Sequence, residues 1–239
     1  MRRKVGVFDS GIGGLTVLEK LKEELPHEDF IYFGDSRNNP YGEKSDEELY
    51  CIVKGVVDFL IKEDVKLIVI ACNTATTKCM KRLRVDYPKM IFVGIVPAIK
   101  VACDRGYKNI LVMATPVTIG SFRTYELIRD NKREDQKITL LSCDGLAHLI
   151  EIGNEVKINE MLEEIFKEYK NTNVDAIVLG CTHYPLIKNN IIKVFGDVML
   201  LDGSLGVAKE VKRQLENHNL LNDVGGNVRI LNSLSNEVL

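Results

Sequence analysis

Several features are missing from this 239-residue sequence, and their absence excludes some classes of protein. No apolar run approaches the roughly 20 residues that a membrane-spanning helix needs, so we expect no membrane partner. The formal net charge of −2 includes no basic surplus, which argues against nucleic acid as a partner. The first apolar stretch ends at Asp9, too soon for a signal-peptide core, so we expect a cytoplasmic protein.

The sequence also lacks the usual signatures of disulfides, metals and nucleotides. Its six cysteines are scattered without a CxxC pair, which predicts reduced thiols. Cys181 and His183 have no second ligand pair at zinc-site spacing, so we expect no metal. The run Gly11-Ile12-Gly13-Gly14 lacks both the G-x-G-x-x-G spacing and the G-K-[ST] ending, so we expect no nucleotide. Such a glycine turn can still offer backbone N–H groups to a carboxylate.

What the sequence does contain is a repeated alternation of strand-like and helical patterns. The composition, 45% apolar and 28% charged, is typical of a globular protein. Ser45 with Glu48 forms a capping box that predicts the start of one helix. Strands alternating with helices indicate a parallel α/β fold. The predicted strands cover residues 4–8, 30–33, 67–71, 91–96, 109–114, 138–141, 176–179, 198–201 and a short stretch near 228–231.

We therefore predict two pseudo-symmetric α/β lobes, each a mainly parallel sheet flanked by helices. The predicted N-terminal lobe comprises residues 1–95 plus about 207–239, and the C-terminal lobe comprises residues 96–206. Ligands of open parallel sheets bind beyond the carboxyl ends of the strands. The active site is accordingly expected in the cleft between the two lobes.

Two segments carry the chemistry of the chain. LIVIACNTATT, residues 67–77, and AIVLGCTHYPL, residues 176–186, each end an apolar strand with one small residue followed by a cysteine. A thiol at a strand-to-helix turn is favoured as a thiolate by the positive end of the helix. Cys72 and Cys181 are therefore candidate nucleophiles or bases that could work on one substrate carbon from opposite sides. The remaining cysteines read as small buried hydrophobes: Cys51, Cys79, Cys103 and Cys143.

A cysteine base needs polar neighbours, and the strand ends supply them. Asp9 could accept or orient a proton near one thiol and His183 near the other. The alternatives are that Asp9 only caps a turn, that His183 is only a packed side chain, and that Asp35 is either a loop anchor or a catalytic group. Small neutral donors that could hold a carboxylate or an ammonium group are Ser10, Asn73, Thr74, Thr118 and Thr182.

Taken together, the motifs resemble bacterial glutamate racemases. The resemblance extends from residue 5 to about residue 205, with the motifs in the family's order. The segments that carry it are DSGIGGLTV (9–17), YFGD (32–35), PYG (40–42), ACNTA (71–75), GIVPA (94–98) and LGCTHYPL (179–186). The resemblance implies interconversion of L- and D-glutamate without a cofactor, which supplies D-glutamate for peptidoglycan. It also implies a homodimer.

The resemblance further implies a role for individual residues. Cys72 would act on D-glutamate and Cys181 on L-glutamate, assisted by Asp9 and His183 respectively. The substrate-contacting positions would be Asp9, Ser10, Tyr41, Gly42, Asn73, Thr74, Thr118, Thr182 and His183.

The sequence departs from the family's pattern in three segments that exclude both cysteines. Ser142-Cys143-Asp144-Gly145 stands before Glu151 where a Cys-Pro motif is usual, and the loop 36–39 and the turn 202–204 are atypical. Two alternatives stay open. One is a racemase of the same fold acting on another amino acid such as aspartate, and the other is a catalytically silent binding relative.

Overall fold

The computed structural model describes the backbone of residues 3–238 and the side chains of residues 3–234. Residues 1, 2 and 239, which belong to the predicted N-terminal lobe, lie outside the described residues. The chain divides into two compact units, here called unit 1 and unit 2. Within the described range, unit 1 comprises residues 3–95 and 204–238, and unit 2 comprises residues 96–203.

Strands and helices alternate through most of the described chain. The strands are β1 (Lys4–Asp9), β2 (Phe30–Gly34), β3 (Val65–Ile70), β4 (Ile91–Gly94), β5 (Asn109–Ala114), β6 (Lys137–Ser142), β7 (Ala176–Leu179), β8 (Met199–Asp202), β9 (Val228–Asn232) and β10 (Ser235–Val238). The helices are α1 (Leu15–Glu24), α2 (Asp46–Lys62), α3 (Asn73–Asp86), α4 (Ile99–Asp104), α5 (Pro116–Ile119), α6 (Phe122–Asn131), α7 (Leu146–Glu151), α8 (Glu155–Phe166), α9 (Lys188–Phe195) and α10 (Ser204–Asn217). None of the described helices has the length and apolar character needed to cross a bilayer.

Unit 1 is built on a six-stranded sheet with the order β10-β9-β2-β1-β3-β4. All neighbouring pairs are parallel except β9 and β10, which are antiparallel. Side chains alternate between the faces of β3, so that Leu67 and Val69 join one core and Ile68 and Ile70 the other. Helices α1 and α10 cover the first face, and α2 and α3 cover the second.

Unit 2 is built on a parallel four-stranded sheet with the order β6-β5-β7-β8. Leu111 and Met113 of β5 pack beneath α7, α8 and α9, whereas Ile110 and Val112 pack beneath α4 and α6. Both faces are thus covered by helices, as parallel strands require. The prediction of an α/β fold with mainly parallel sheets flanked by helices is confirmed.

The predicted strands differ from the structure mainly at their ends. The strand predicted at 91–96 stops at Gly94, and the strand predicted at 198–201 runs from Met199 to Asp202. Strand β10 was not predicted, because SNEV is short and has little apolar alternation. It extends the unit 1 sheet by pairing with β9.

A buried ion pair joins the sheet of unit 1 to the segment that follows α10. Lys66 of β3 and Glu28 approach to 2.7 Å, and their side chains are 2% and 1% exposed. Lys66 Nζ also donates to the Leu220 carbonyl at 2.5 Å and to Asn222 Oδ1 at 3.0 Å. Glu28 Oε1 accepts the backbone N–H of Asn222 at 2.7 Å. The segment that follows α10 is therefore fixed to unit 1 by a buried ion pair and the hydrogen bonds around it.

We predict that Lys66→Met lowers the free energy of unfolding by about 3–5 kcal/mol, because Glu28 is left buried without its counter-charge. Denaturation in urea measures this loss, and the double variant Lys66→Met/Glu28→Gln should recover part of it. The matched control is Lys20→Met, which breaks an exposed pair with Glu23 and should cost less than about 1 kcal/mol. Equal costs for the two single variants would contradict the role given to the buried pair.

Candidate active site

Cys72 lies at the N-terminal end of α3, directly beyond the end of β3. Cys72 is the N-cap residue of α3, and its Sγ accepts a hydrogen bond from the backbone N–H of Ala75 at 3.5 Å. The side chain is 5% exposed. The Cys72 thiol also contacts the Ser10 hydroxyl, with Sγ and Oγ 3.8 Å apart. A helix N-terminus and a nearby N–H donor both favour negative charge on this sulfur.

Asp9 ends β1 and holds the glycine turn that follows it. Its Oδ2 accepts the N–H of Gly14 at 2.9 Å and that of Gly11 at 3.4 Å, and the side chain is fully buried. A Cβ on Gly14 would lie 2.6 Å from Asp9 Cβ, so only glycine fits here. Asp9 therefore does cap the turn, as one of the two readings predicted, and the turn places Ser10 beside Cys72.

Tyr41 and Asp35 form a second buried polar group in unit 1. The Tyr41 hydroxyl donates to Asp35 Oδ2 at 2.8 Å, and Asn38 Nδ2 contacts both Asp35 oxygens at 3.0 and 2.9 Å. Burial raises the pKa of Tyr41 well above 10. The nearby Asp35 raises it further, and Cys72 and Asp9 add smaller effects in the same direction. The phenol thus stays a donor, and Asp35 anchors the loop. Gly42 follows in the same 3₁₀ turn, Tyr41–Glu43.

Asn73 and Thr74 occupy the first turn of α3, next to Cys72. Both residues are 4% exposed. The Asn73 Oδ1 atom is buried and has no hydrogen-bond partner among the residues that the structure describes. An unsatisfied buried acceptor is costly, so this atom marks a place where a ligand N–H would be stabilised.

In unit 2, Cys181, His183 and Glu151 form a chain of polar contacts. Cys181 Sγ lies 3.9 Å from His183 Nδ1, and His183 Nε2 lies 2.6 Å from Glu151 Oε2. Cys181 is 8% exposed and His183 1% exposed. When the Glu151 carboxylate accepts the Nε2 proton, Nδ1 of a neutral imidazole presents its lone pair to the thiol. His183 is thus buried and in contact with both Cys181 and Glu151.

The turn after Cys181 differs from the one after Cys72. A 3₁₀ segment, Tyr184–Ile187, intervenes before α9 begins at Lys188. Pro185 lies in its first turn and has no N–H to donate. The expected turn from a strand into an α-helix is therefore found at Cys72. At Cys181 the strand leads into a 3₁₀ turn instead, and the polar group beside the sulfur is the His183 imidazole.

The remaining predicted residues of unit 2 line buried turns. Thr118 is fully buried in α5, and its hydroxyl accepts that of Thr115 at 3.1 Å. The Thr118 carbonyl accepts the hydroxyls of Ser121 and Thr124 at 2.8 and 2.6 Å. Thr182, between Cys181 and His183, is 3% exposed.

The structure thus gathers the predicted site residues into two clusters. The unit 1 cluster contains Asp9, Ser10, Tyr41, Gly42, Cys72, Asn73 and Thr74, and the unit 2 cluster contains Cys181, Thr182 and His183. Thr118 belongs to the same unit as the second cluster. Sequence reasoning did not assign Glu151 a partner, because 32 residues separate it from His183. Its only sequence signal was its place after the atypical segment 142–145.

The other cysteines are described correctly in three cases of four. Cys79 and Cys103 are fully buried and Cys143 is 2% exposed, as expected for small hydrophobes. Cys51 is exposed on α2, so its assignment to the core was wrong. Its place on the helix explains this, since the apolar stripe of α2 includes Leu49, Val53 and Val56 and excludes position 51.

A sequence model of the Asp/Glu/hydantoin racemase family matches residues 5–210. The chain is 42% identical to a glutamate racemase of Clostridium botulinum strain Alaska E43, over 98% of this chain and 93% of that protein.

Solved structures of glutamate racemases have the same fold as this chain. A glutamate racemase of Francisella tularensis in complex with D-glutamate superposes with a TM-score of 0.81 and 33% identity, covering 97% of this chain and 88% of that one. An Escherichia coli glutamate racemase in complex with L-glutamate and the activator UDP-MurNAc-ala gives 0.79 and 32%, covering 90% and 83%.

We predict that iodoacetamide at pH 9 modifies Cys51 but leaves Cys79 and Cys143 intact in the folded protein. Burial raises the pKa of Cys79 and of Cys143 to about 12. At pH 9 only about one in a thousand of these thiol groups would then be ionised, and the thiolate would lie in the core. Peptide mass spectrometry measures the modification, and unfolding in urea serves as the positive control. Modification of Cys79 or Cys143 as fast as Cys51 would show that their burial is not maintained in solution.

Proposed function

This chain belongs to the Asp/Glu/hydantoin racemase family and is an isomerase of the glutamate racemase type, and we propose that Cys72 and Cys181 are its two catalytic bases. The observation that carries the proposal is the Cys181–His183–Glu151 chain of contacts, which gives one thiol a proton acceptor held in a fixed orientation. Cys72, at a helix N-terminus and beside Ser10, is the second thiol with surroundings that favour a thiolate.

The proposed reaction moves one proton off and one proton onto the α-carbon. The Cys72 thiolate removes the α-proton of D-glutamate, and the electron pair left on the α-carbon is delocalised into the α-carboxylate. The Cys181 thiol then gives its proton to the opposite face, which yields L-glutamate. The reverse reaction exchanges the two roles, so a cycle consumes no cofactor and no net proton.

The His183–Glu151 pair sets the proton balance at Cys181. Neutral His183 can take the thiol proton through Nδ1 while Glu151 stabilises the imidazolium that results. After Cys181 has taken a proton from L-glutamate, the same pair can hold the thiol ready for the return transfer. We therefore assign Glu151 as a positioning residue for His183, in addition to the residues predicted from the sequence.

At Cys72 the corresponding polar neighbours are Asp9 and Ser10. Asp9 is held rigidly by the glycine turn that it caps, and that turn presents Ser10 to Cys72 Sγ. We propose that Asp9 assists Cys72 through this arrangement. An α-proton is much less acidic than a thiol, so donors in a closed site are needed to stabilise the charge that develops on the carboxylate.

The polar groups around the thiols can be matched to the charges of glutamate. The α-ammonium is the only N–H donor of this substrate, and Asn73 Oδ1 is a buried acceptor in need of one. The backbone N–H groups of Tyr41 and Gly42 and the hydroxyls of Ser10, Thr74, Thr118 and Thr182 are donors for the two carboxylates. The F. tularensis and E. coli relatives, solved with D- and L-glutamate, support this choice of substrate.

The biological role that follows is the supply of D-glutamate for peptidoglycan in the cytoplasm. Units 1 and 2 would correspond to the N- and C-terminal racemase lobes, which the sequence placed at 1–95 plus about 207–239 and at 96–206.

Circular dichroism polarimetry tests the function directly. We expect L- and D-glutamate each to lose optical activity with the purified protein and no added cofactor, and aspartate to remain unchanged. Activity on aspartate alone would favour the alternative substrate, and activity on neither would favour a silent relative.

Cys72→Ser and Cys181→Ser should each lower kcat/KM by at least about 1,000-fold. Full turnover by either variant would disprove the two-base assignment.

We predict that Glu151→Gln lowers kcat/KM about 10- to 100-fold, because an amide stabilises the His183 imidazolium less than a carboxylate does. The two enantiomers have equal free energy, so kcat/KM must fall equally in both directions. The loss should fall mainly on kcat and should move the pH profile, which a merely structural defect would not do.

The matched control is Glu160→Gln, at an exposed position of α8, which should leave both the rate and the pH profile unchanged. An unchanged pH profile in Glu151→Gln, with normal folding, would remove Glu151 from the mechanism.

A further inference from the structure

A surface pocket of unit 1 lies outside the cluster around Cys72. It has a volume of about 430 Å³ and lies between α2 and the residues that follow β2 and β9. This volume is in the range of small-molecule sites. Its apolar lining includes Phe33, Ile52, Val56 and Phe59. The rings of Phe33 and Phe59 are 5.4 Å apart and tilted by 47°, so the pocket offers aromatic surface to a flat apolar group.

The accessible charge in this pocket is positive. Arg37 lines it and is exposed, and among the described ion pairs its guanidinium has no carboxylate partner. Asp35 also lines the pocket, but it is 2% exposed and both its oxygens accept hydrogen bonds from Asn38 and Tyr41. A ligand would therefore meet aromatic surface and one open cationic group that suits bidentate pairing with an anion.

We propose that this pocket binds an organic anion built on an apolar ring, with Arg37 pairing with the anionic group, and that its occupancy changes the affinity for glutamate. The coupling has a physical route in Asp35. This one carboxylate forms part of the pocket wall and also holds the Tyr41 hydroxyl at 2.8 Å. Tyr41 in turn belongs to the cluster around Cys72. The coupling rests on the proposed function, whereas binding of the anion does not.

The exposed thiol of Cys51 gives independent access to the pocket. Cys51 lies on α2 and contributes to the lining. Alkylation by N-ethylmaleimide would fill part of the pocket with an uncharged N-ethylsuccinimide group. It should therefore prevent an anionic ligand from entering without changing Arg37.

The test uses the full-length protein and 8-anilinonaphthalene-1-sulfonate, an aromatic anion whose fluorescence reports binding. We expect one site per chain, and we expect Arg37→Glu to weaken binding by at least about 10-fold. Lys81→Glu makes the same charge change at an exposed position of α3 and should leave binding unchanged. Equal binding by the wild type and Arg37→Glu would overturn the proposed site.

N-ethylmaleimide provides the second measurement. Treated wild type should lose binding of the probe, and treated Cys51→Ser should keep it. Loss of binding in both proteins would place the probe elsewhere and would overturn the proposal.

The coupling is tested by reciprocity. D-glutamate should change the Kd of the probe by a factor of about 5 or more, and the probe should change the glutamate Kd by the same factor. If the probe binds through Arg37 but neither Kd moves, the coupling to the site is wrong. A protein that bound the probe but failed to racemise glutamate would contradict the proposed function and leave the binding site standing.

Discussion

The side-by-side pairing of parallel strands is the constraint on which both polar clusters depend. In unit 1, β1 and β3 are neighbours, and just beyond the end of β3 the N–H of Ala71 donates to the Phe8 carbonyl at 2.8 Å. This bond fixes Asp9 and Ser10 next to Cys72. In unit 2, β5 and β7 are neighbours, and the N–H of Gly180 donates to the Met113 carbonyl at 2.7 Å. The segments that carry Thr118 and Cys181 therefore begin side by side.

Asp9 and Asp35 are buried and Glu151 is partly buried, and each of these three carboxylates contacts groups that it holds in position. Asp9 organises the glycine turn, Asp35 holds Tyr41 and Asn38, and Glu151 orients His183. Electrostatic interactions are stronger where water is excluded, so small shifts of these groups strongly change how well a nearby charge is stabilised. A ligand in the Arg37 pocket would contact Asp35, which holds Tyr41. Binding there would therefore change the polar surroundings of Cys72 through the 36–43 loop.

The sequence was informative wherever function and local pattern coincide. Apolar runs ending in a cysteine identified β3 and β7, and Ser45 with Glu48 predicted the start of α2, where the Ser45 hydroxyl does accept the Glu48 N–H at 3.3 Å. Tertiary contacts were not accessible in this way. Nothing local to Glu151 points to His183, and the sequence pattern after Cys181 did not distinguish the 3₁₀ turn Tyr184–Ile187 from the start of an α-helix. Cys51 was misplaced because its burial is decided by which face of α2 meets the sheet.

The central claim is that two different thiols act on opposite faces of one α-carbon. Its most direct test is to start the reaction with L-glutamate in deuterium oxide and to stop it at low conversion. Chiral separation and mass spectrometry then give the deuterium content of each enantiomer. Two monoprotic bases predict that the D-glutamate formed carries one α-deuterium from solvent while the L-glutamate left over keeps its protium. Protium retained in the product, or equal deuterium in both enantiomers from the start, would indicate a single base and contradict the account.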